Sequence, residues 1–413
     1  MQLLSKTLSL STNQYSIMLM GFLFLIGSHL FDYYPWIFII ISLMIVDFKH
    51  AKRWETLLLF GFIISSIVTW YFLDPNIVFN SRLLGQFALI FIMYIVGLNI
   101  PITQNTTTVN IGKVFFYFLF IFFIGYMISI IYSYIFIIQD NPLSFLGMHV
   151  CFQNEYKRTQ INGGLLISTI ITYYLTFMAN ILPFILFYFK DFQKNGFHYL
   201  ELLFLSGLSF FSIYLAAQMG RRTTIVLIIV ILGYLSLSKI IEHRKQINFK
   251  IIFLITTLFA IIIGAGYYFL ENTSVIHRLM YRGLHDQRFG FWVQGIQVML
   301  DYPFGGGYDI VLSNFTKLAH NTWIDMGKDL GVIPFIFFLL LSLVFIYNII
   351  RILFDKKINI FIKHTVMIIS ITLFTILMIE PVFNSDKTFF TYIMFLLGVV
   401  ITLNNSDKSP KII

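Results

Sequence analysis

Arginines with the spacing of an anion-binding group recur in the second half of the chain. Arg221 and Arg222 stand side by side between two apolar runs, and Arg278, Arg282 and His285 follow at intervals of four and three residues. On a helix this spacing puts the last three side chains on one face. A guanidinium is always charged, and its planar fork matches phosphate oxygens. The pattern favours a site for a lipid phosphate or pyrophosphate, although Arg278 and Arg282 also fit plain snorkelling towards lipid headgroups.

A histidine supplies the second kind of chemistry. His320 precedes an apolar run, and Asp325 and Asp329 follow it at helical offsets at which they could orient or pair nearby groups. Near neutral pH a histidine can accept a proton from a hydroxyl group. Spacing alone also allows an ordinary interfacial histidine that is satisfied by headgroups and water.

Metal and nucleotide sites have little support in the sequence. His and carboxylate patterns with metal-ligand spacing are absent, and the single cysteine, Cys151, excludes a Cys-based metal centre and an intrachain disulfide. The glycines of 305–307 lack the Lys-Ser/Thr pair of a phosphate-binding loop, so they are interpreted as a tight turn. We therefore expect neither a metal nor a cofactor.

The elements that must position these residues are membrane spans. Of 413 residues, 58% are apolar and 11% charged, and the mean hydropathy is +0.83. A span needs about 20 apolar residues, so the apolar total corresponds to about twelve spans. The composition predicts an all-α integral membrane protein with about twelve transmembrane helices, formed as one polytopic domain over residues 1–413. The apolar runs are Tyr15–Phe31, Tyr34–Val46, Thr56–Leu73, Leu83–Ile100, Val114–Ile138, Leu165–Phe189, Leu202–Met219, Thr223–Leu237, Ile251–Leu270, Val332–Ile350, Thr365–Ile379 and Phe389–Leu403.

The distribution of basic residues sets the orientation. If the N-terminus is inside, about 17 of the 28 Lys and Arg residues fall on the inner side. This bias predicts cytoplasmic N- and C-termini, and it explains the net charge of +9 without nucleic-acid binding. The long connection 271–331 and the smaller connection 139–163 then lie outside. We expect the long one to fold against the membrane surface, with Val275–Arg288 as an amphipathic helix on the bilayer.

Three short motifs resemble those of a known family. They are Gly220-Arg221-Arg222-Thr223-Thr224 at a span start, Arg288-Phe-Gly-Phe-Trp292 followed by Asp301-Tyr-Pro-Phe-Gly-Gly-Gly-Tyr308, and His320-Asn321 with Gly331 before the next span. Their types and order resemble the bacterial O-antigen polymerase/O-antigen ligase superfamily. The sequence departs from the family pattern at Arg221, where a small or hydroxylated residue is usual, and at Pro334, which replaces a small residue. The resemblance covers about a quarter of the chain.

The resemblance implies a metal-independent membrane glycosyltransferase of the C-type architecture at the periplasmic face of the bacterial inner membrane. The donor would be a glycan on undecaprenyl pyrophosphate, and neither a nucleotide sugar nor another cofactor would take part. His320, Arg288 and Arg222 would be catalytic, with His320 deprotonating or orienting the acceptor hydroxyl. The pyrophosphate-binding residues would be Arg221, Arg222, Arg278, Arg282 and Arg288.

The resemblance allows two activities, which differ in the acceptor of the glycan. A polymerase would extend another lipid-linked repeat unit, whereas a ligase of lipopolysaccharide biosynthesis would transfer the polymer to the lipid A core; we favour the polymerase. Chain-length regulators or flippases would be partner proteins. A lipid-linked oligosaccharide flippase is a more distant alternative, because it would show an internal repeat and small outer loops.

Overall fold

The computed structural model describes residues 34–43, 46–73, 81–99, 111–137, 169–218, 221–242, 288–312, 317–385 and 387–405. Within these ranges the regular structure is entirely helical. The sequence-based predictions for the runs Tyr15–Phe31 and Ile251–Leu270, for the connection 139–163 and for residues 275–287 lie outside the described residues.

The helices are numbered here in chain order. They are α1 (Tyr34–Leu43), α2 (Trp54–Leu73), α3 (Ser81–Leu98), α4 (Ile111–Ile137), α5 (Thr169–Ala179), α6 (Ile181–Lys194), α7 (Tyr199–Gln218), α8 (Arg222–Glu242), α9 (Arg288–Asp301), α10 (Thr322–Leu330), α11 (Val332–Phe354), α12 (Ile360–Ile379), α13 (Val382–Ser385) and α14 (Lys387–Asn405). Short 3-10 turns cover Phe48–Ala51 and Gly307–Asp309. The chain forms two compact units, one of residues 1–125 and 287–413 and the other of residues 126–286.

Six described helical segments are long and apolar enough to cross a membrane. They are Trp54–Phe72, Thr172–Lys194, Tyr199–Ala217, Thr223–Glu242, Val332–Phe354 and Ile360–Ile379. Shorter apolar helices cover Leu83–Leu98, Gly112–Met127 and Phe389–Asn404. The protein is therefore a helical, multi-pass membrane protein.

In the first unit, α3 and α14 form a buried pair whose backbones touch. A Cβ atom on Gly97 would clash with the carbonyl oxygen of Phe395, and one on Gly398 would clash with that of Tyr94. Glycines allow this approach, as is usual where membrane helices pack on small residues. The outer helix α2 instead exposes an apolar stripe that includes Leu57, Phe60 and Ile64. An apolar stripe on a spanning helix is suited to lipid contact.

In the second unit, a one-residue break between α5 and α6 interrupts the run predicted from Leu165 to Phe189, although Thr172–Lys194 remains one candidate span. Pro183 has no N–H, and its ring conflicts with the carbonyl of Ala179 four residues earlier. The hydroxyl of Ser209 on α7 donates to that freed carbonyl at 2.9 Å and accepts from the amide of Leu182 at 2.9 Å. Ser209 thus satisfies the backbone groups that the break releases.

Candidate functional site

The side chain of Glu380 lies between two residues that the sequence singled out. Its Oε1 is 3.5 Å from Nη2 of Arg288, and its Oε2 is 3.9 Å from Nδ1 of His320. The Glu380 side chain is only 8% exposed, whereas those of Arg288 and His320 are 27% and 32% exposed. A buried carboxylate therefore faces two partly accessible groups that a ligand can reach.

Backbone contacts fix where Glu380 stands. It is the first residue after the spanning helix α12, and its extended backbone turns the chain towards α13. Its carbonyl accepts a hydrogen bond from Oγ1 of Thr322 at 2.7 Å, and the same hydroxyl accepts from the amide of Val382 at 3.1 Å. Because Thr322 is the first residue of α10, this buried hydroxyl ties the end of α12 to the segment that carries His320.

The N-cap residue of α10, Asn321, forms a second connection between α10 and α12. The Oδ1 of Asn321 accepts from the amides of Trp323 and Ile324 at 3.1 and 3.2 Å, which satisfies backbone donors that α10 would otherwise leave unpaired. The Nδ2 of the same amide donates to the carbonyl of Met378 at 3.1 Å. The Asn that follows the histidine thus caps α10 and also holds it against α12.

His320 has a backbone conformation that few residues adopt. Its φ is +56°, and it is the one non-glycine residue with positive φ in the described ranges. This left-handed conformation costs a residue other than glycine on the order of 1 kcal/mol. The carboxylate of Asp325 accepts hydrogen bonds from the amides on both sides of His320, at 2.6 Å from Ala319 and 3.0 Å from Asn321. Asp325 therefore brackets the strained residue and holds it in place.

Asp325 makes these bonds from inside the protein. Burial raises the pKa of its carboxyl to about 6, with a smaller increase from the negative charge of Asp329, and the two amide hydrogen bonds and the cation of Lys328 act in the opposite direction. Lys328 is fully buried, pairs with Asp329 and donates to the carbonyl of Gly307 at 2.8 Å. The two carboxylates predicted to orient or pair nearby groups thus have separate contacts: Asp325 binds backbone, and Asp329 pairs with a lysine.

Packing of α9 brings Arg288 to this place. Phe291 and Val298 of α9 form a buried cluster with Leu312 and Ala319. Gly295 faces the same cluster, where an added Cβ would lie 3.0 Å from Cβ of Ala319, so α9 approaches the His320 segment closely. Arg288 begins this helix, and therefore its position follows from the packing of α9.

The glycines predicted to form a tight turn do so, since Gly305 and Gly306 both have φ of +95°. The amide of Gly306 donates to the carbonyl of Asp329 at 3.0 Å, and the amide of Val332 donates to that of Pro303 at 2.8 Å. Gly331, with φ of +92°, has no room for a Cβ, which would lie 2.6 Å from the amide nitrogen of Gly305. The turn thereby anchors the end of α9 to the start of α11.

Pro334 lies in the first turn of α11, where a missing N–H loses no helical bond.

The structure brings together only part of the predicted site. Arg288 and His320 meet at Glu380, a residue that the sequence reasoning missed. Arg221 and Arg222 belong to the other compact unit; Arg221 is partly buried just before α8, and the side chain of Arg222 is outside what the structure describes. The predicted phosphate contacts of Arg278 and Arg282 lie outside the described residues.

The arrangement suits proton transfer next to an anion. At 3.9 Å the carboxylate of Glu380 is beyond hydrogen-bond distance of Nδ1 of His320, so the carboxylate acts on the imidazole through its charge. The guanidinium has five N–H donors, so one arginine can bind a carboxylate and a phosphate oxygen together. In the described part of the chain, no three His, Cys, Asp or Glu side chains come together in a group that could hold a metal ion.

Comparison of the chain with protein-family models finds no match, and comparison with curated proteins also finds none.

Proposed function

We propose that this protein is an O-antigen or related surface-polysaccharide polymerase. It transfers a glycan from undecaprenyl pyrophosphate to another lipid-linked repeat unit at the periplasmic face. The single observation that carries the proposal is the Arg288–Glu380–His320 group, in which Glu380 directly follows the apolar helix α12. This group combines an anion-binding cation with a histidine that lies beside a buried carboxylate.

The proposed reaction is a direct displacement. Nε2 of His320 takes the proton of the acceptor hydroxyl while that oxygen forms a bond to the anomeric carbon of the donor. The bond from this carbon to the pyrophosphate oxygen breaks, and the undecaprenyl pyrophosphate leaves with the additional negative charge. Arg288 stabilises that charge, and Glu380 stabilises the protonated imidazole.

The charge pattern around α11 and α12 supports the periplasmic location. The connection between these helices contains Lys356 and Lys357, and Arg351 lies in the last turn of α11. Glu380 of the site follows the end of α12 that is opposite to this connection. Since basic connections favour the cytoplasmic side, this pattern supports a site on the periplasmic side.

The wider architecture is part of the proposal. It has about twelve spans in the bacterial inner membrane, cytoplasmic termini, and the connection 271–331 as a periplasmic loop. Contacts of Arg221, Arg222, Arg278 and Arg282 with the pyrophosphate remain predictions from the sequence.

The test uses purified full-length protein in proteoliposomes with an undecaprenyl-pyrophosphate-linked glycan. Loss of a contact that forms in the transition state costs about 2–4 kcal/mol, so Arg288→Ala and His320→Ala should each lower the transfer rate roughly a hundredfold or more. Lys317→Ala is the matched control, because Lys317 is an exposed cation in the same connection that pairs with Asp309 at 2.7 Å. Parental rates in both site variants would refute the proposal.

The acceptor is tested separately in the same vesicles. Supplied with a lipid-linked repeat unit and with lipid A core as competing acceptors, a polymerase extends the former. Transfer to the lipid A core alone would identify a ligase instead. Movement of the lipid-linked glycan across the bilayer without transfer would identify a flippase.

A further inference from the structure

Helix α9 has three faces of different character. At 3.6 residues per turn, Phe289, Val293, Ile296 and Leu300 fall within a sector of about 60°. All four are exposed, by 42% to 69%. The opposite face, which includes Phe291, Gly295 and Val298, is buried against the rest of the unit. The exposed side of the helix is therefore apolar along one complete stripe.

A polar strip separates this stripe from the buried face. Gln294, Gln297 and Asp301 are also exposed, and they fall within a neighbouring sector of about 60°. A helix wholly surrounded by water would leave four large apolar side chains in contact with solvent. The sequence of faces, protein then apolar then polar, is the order met by a helix that lies in the plane of a membrane interface.

The contacts at the end of α9 connect the stripe to a spanning helix. Pro303, two residues after the helix, accepts a hydrogen bond from the amide of Val332, the first residue of the spanning helix α11. Phe304 beside it is 75% exposed, as are Ile333 and Ile336 of α11 to smaller extents. The stripe therefore leads to the level at which a span enters the bilayer, where exposed aromatic side chains are common.

We propose that α9 is an interfacial helix whose stripe of Phe289, Val293, Ile296 and Leu300 inserts into the boundary of the lipid bilayer. Its polar strip faces water, and its third face packs against the protein core. Arg288, the first residue of the helix, then lies at the depth of the lipid headgroups. The inference rests on the exposure and anchoring of α9, and it holds whatever reaction the site performs.

Spin labels in proteoliposomes test this placement. Single cysteines are introduced at Val293 and Leu300 in a Cys151→Ser background, and each is labelled with a nitroxide. Power saturation then compares collisions with oxygen, which concentrates in lipid, and with a water-soluble nickel chelate. We expect the oxygen-to-nickel ratio to exceed one at both stripe positions.

Labels at Gln294 and Gln297 are the matched controls, because these residues lie on the same helix and are also exposed. Their ratio should fall below one. A ratio below one at the stripe as well would place α9 in water and overturn the proposal. Stripe labels shielded from both reagents would overturn it too, because protein, either a second copy or another segment of the chain, would then cover the stripe. Each labelled protein must elute like the parent, and Ile296→Cys serves as the replacement if one stripe variant does not.

Discussion

Replacing Asp325 with Asn tests whether the left-handed backbone of His320 matters for transfer. The carboxylate accepts from the amides of Ala319 and Asn321, and an Asn side chain can keep only one of those acceptors. A hydrogen bond to a charged group contributes about 2 kcal/mol, so the active conformation of His320 should lose about that much. This loss corresponds to a transfer rate that is roughly thirtyfold lower. Global stability should change less, because the buried charge also disappears.

The assay is transfer in proteoliposomes, measured for Asp325→Asn in the parental protein and in a His320→Ala background. If Asp325 acts through His320, the second substitution causes no further loss of the residual rate. Hydrogen exchange of the peptide that contains residues 317–322 should also become faster. Asp301→Asn is the control, since Asp301 is an exposed carboxylate that accepts a hydrogen bond from Nε2 of Gln297 at 3.0 Å. Equal losses in both backgrounds, with unchanged hydrogen exchange, would refute the reasoning.

Three other predictions address the same region. Glu380→Gln should lower transfer by about a hundredfold or more while substrate binding persists, because the neutral amide no longer stabilises a protonated His320; single-turnover kinetics checks this, and an unchanged rate contradicts it. The free energy of unfolding in detergent should fall by up to about 3 kcal/mol as pH rises from about 4 to about 6, because the pKa of Asp325 is raised in the folded state, and Asp325→Asn should abolish this component. Gly331→Ala should lower the free energy of unfolding by about 1–3 kcal/mol, because φ is positive there and a Cβ would clash with backbone atoms. Gly290→Ala is the control and should be neutral or stabilising, because a Cβ there meets open space. The melting temperatures of the two variants check this, and equal melting temperatures would contradict it.

The positions of the spanning helices could be predicted from the sequence because the length of an apolar run is a local property. The run Val332–Ile350 lies within α11, and the run Thr365–Ile379 ends where α12 ends. The break at Asn180 was not predicted, because hydropathy is continuous through Pro183 and the compensating hydroxyl of Ser209 comes from another helix. The number of spans across the whole chain stays a prediction.

The site was predictable only where a motif signals it. Arg288 and His320 stand out by type and context, and the structure brings both to one carboxylate. Glu380 lies 60 residues after His320, and the contact depends on how α10 docks on α12. One local signal was present, an acidic residue at the end of an apolar run, but a lone carboxylate in that position has many possible roles. The hydrogen bonds from the amides beside His320 to Asp325 depend on the left-handed backbone of His320, which no rule based on composition identifies.

The backbone contact between Gly97 and Gly398 has a consequence for biogenesis. The unit that contains it is assembled from an early and a late stretch of the chain, whereas residues 126–286 form a unit from one continuous stretch. During synthesis α3 must wait in the bilayer until the ribosome has produced α14, its main partner. Premature termination before residue 387 would therefore leave α3 without that neighbour, and it would expose a hydrophobic, glycine-notched surface to quality-control proteases.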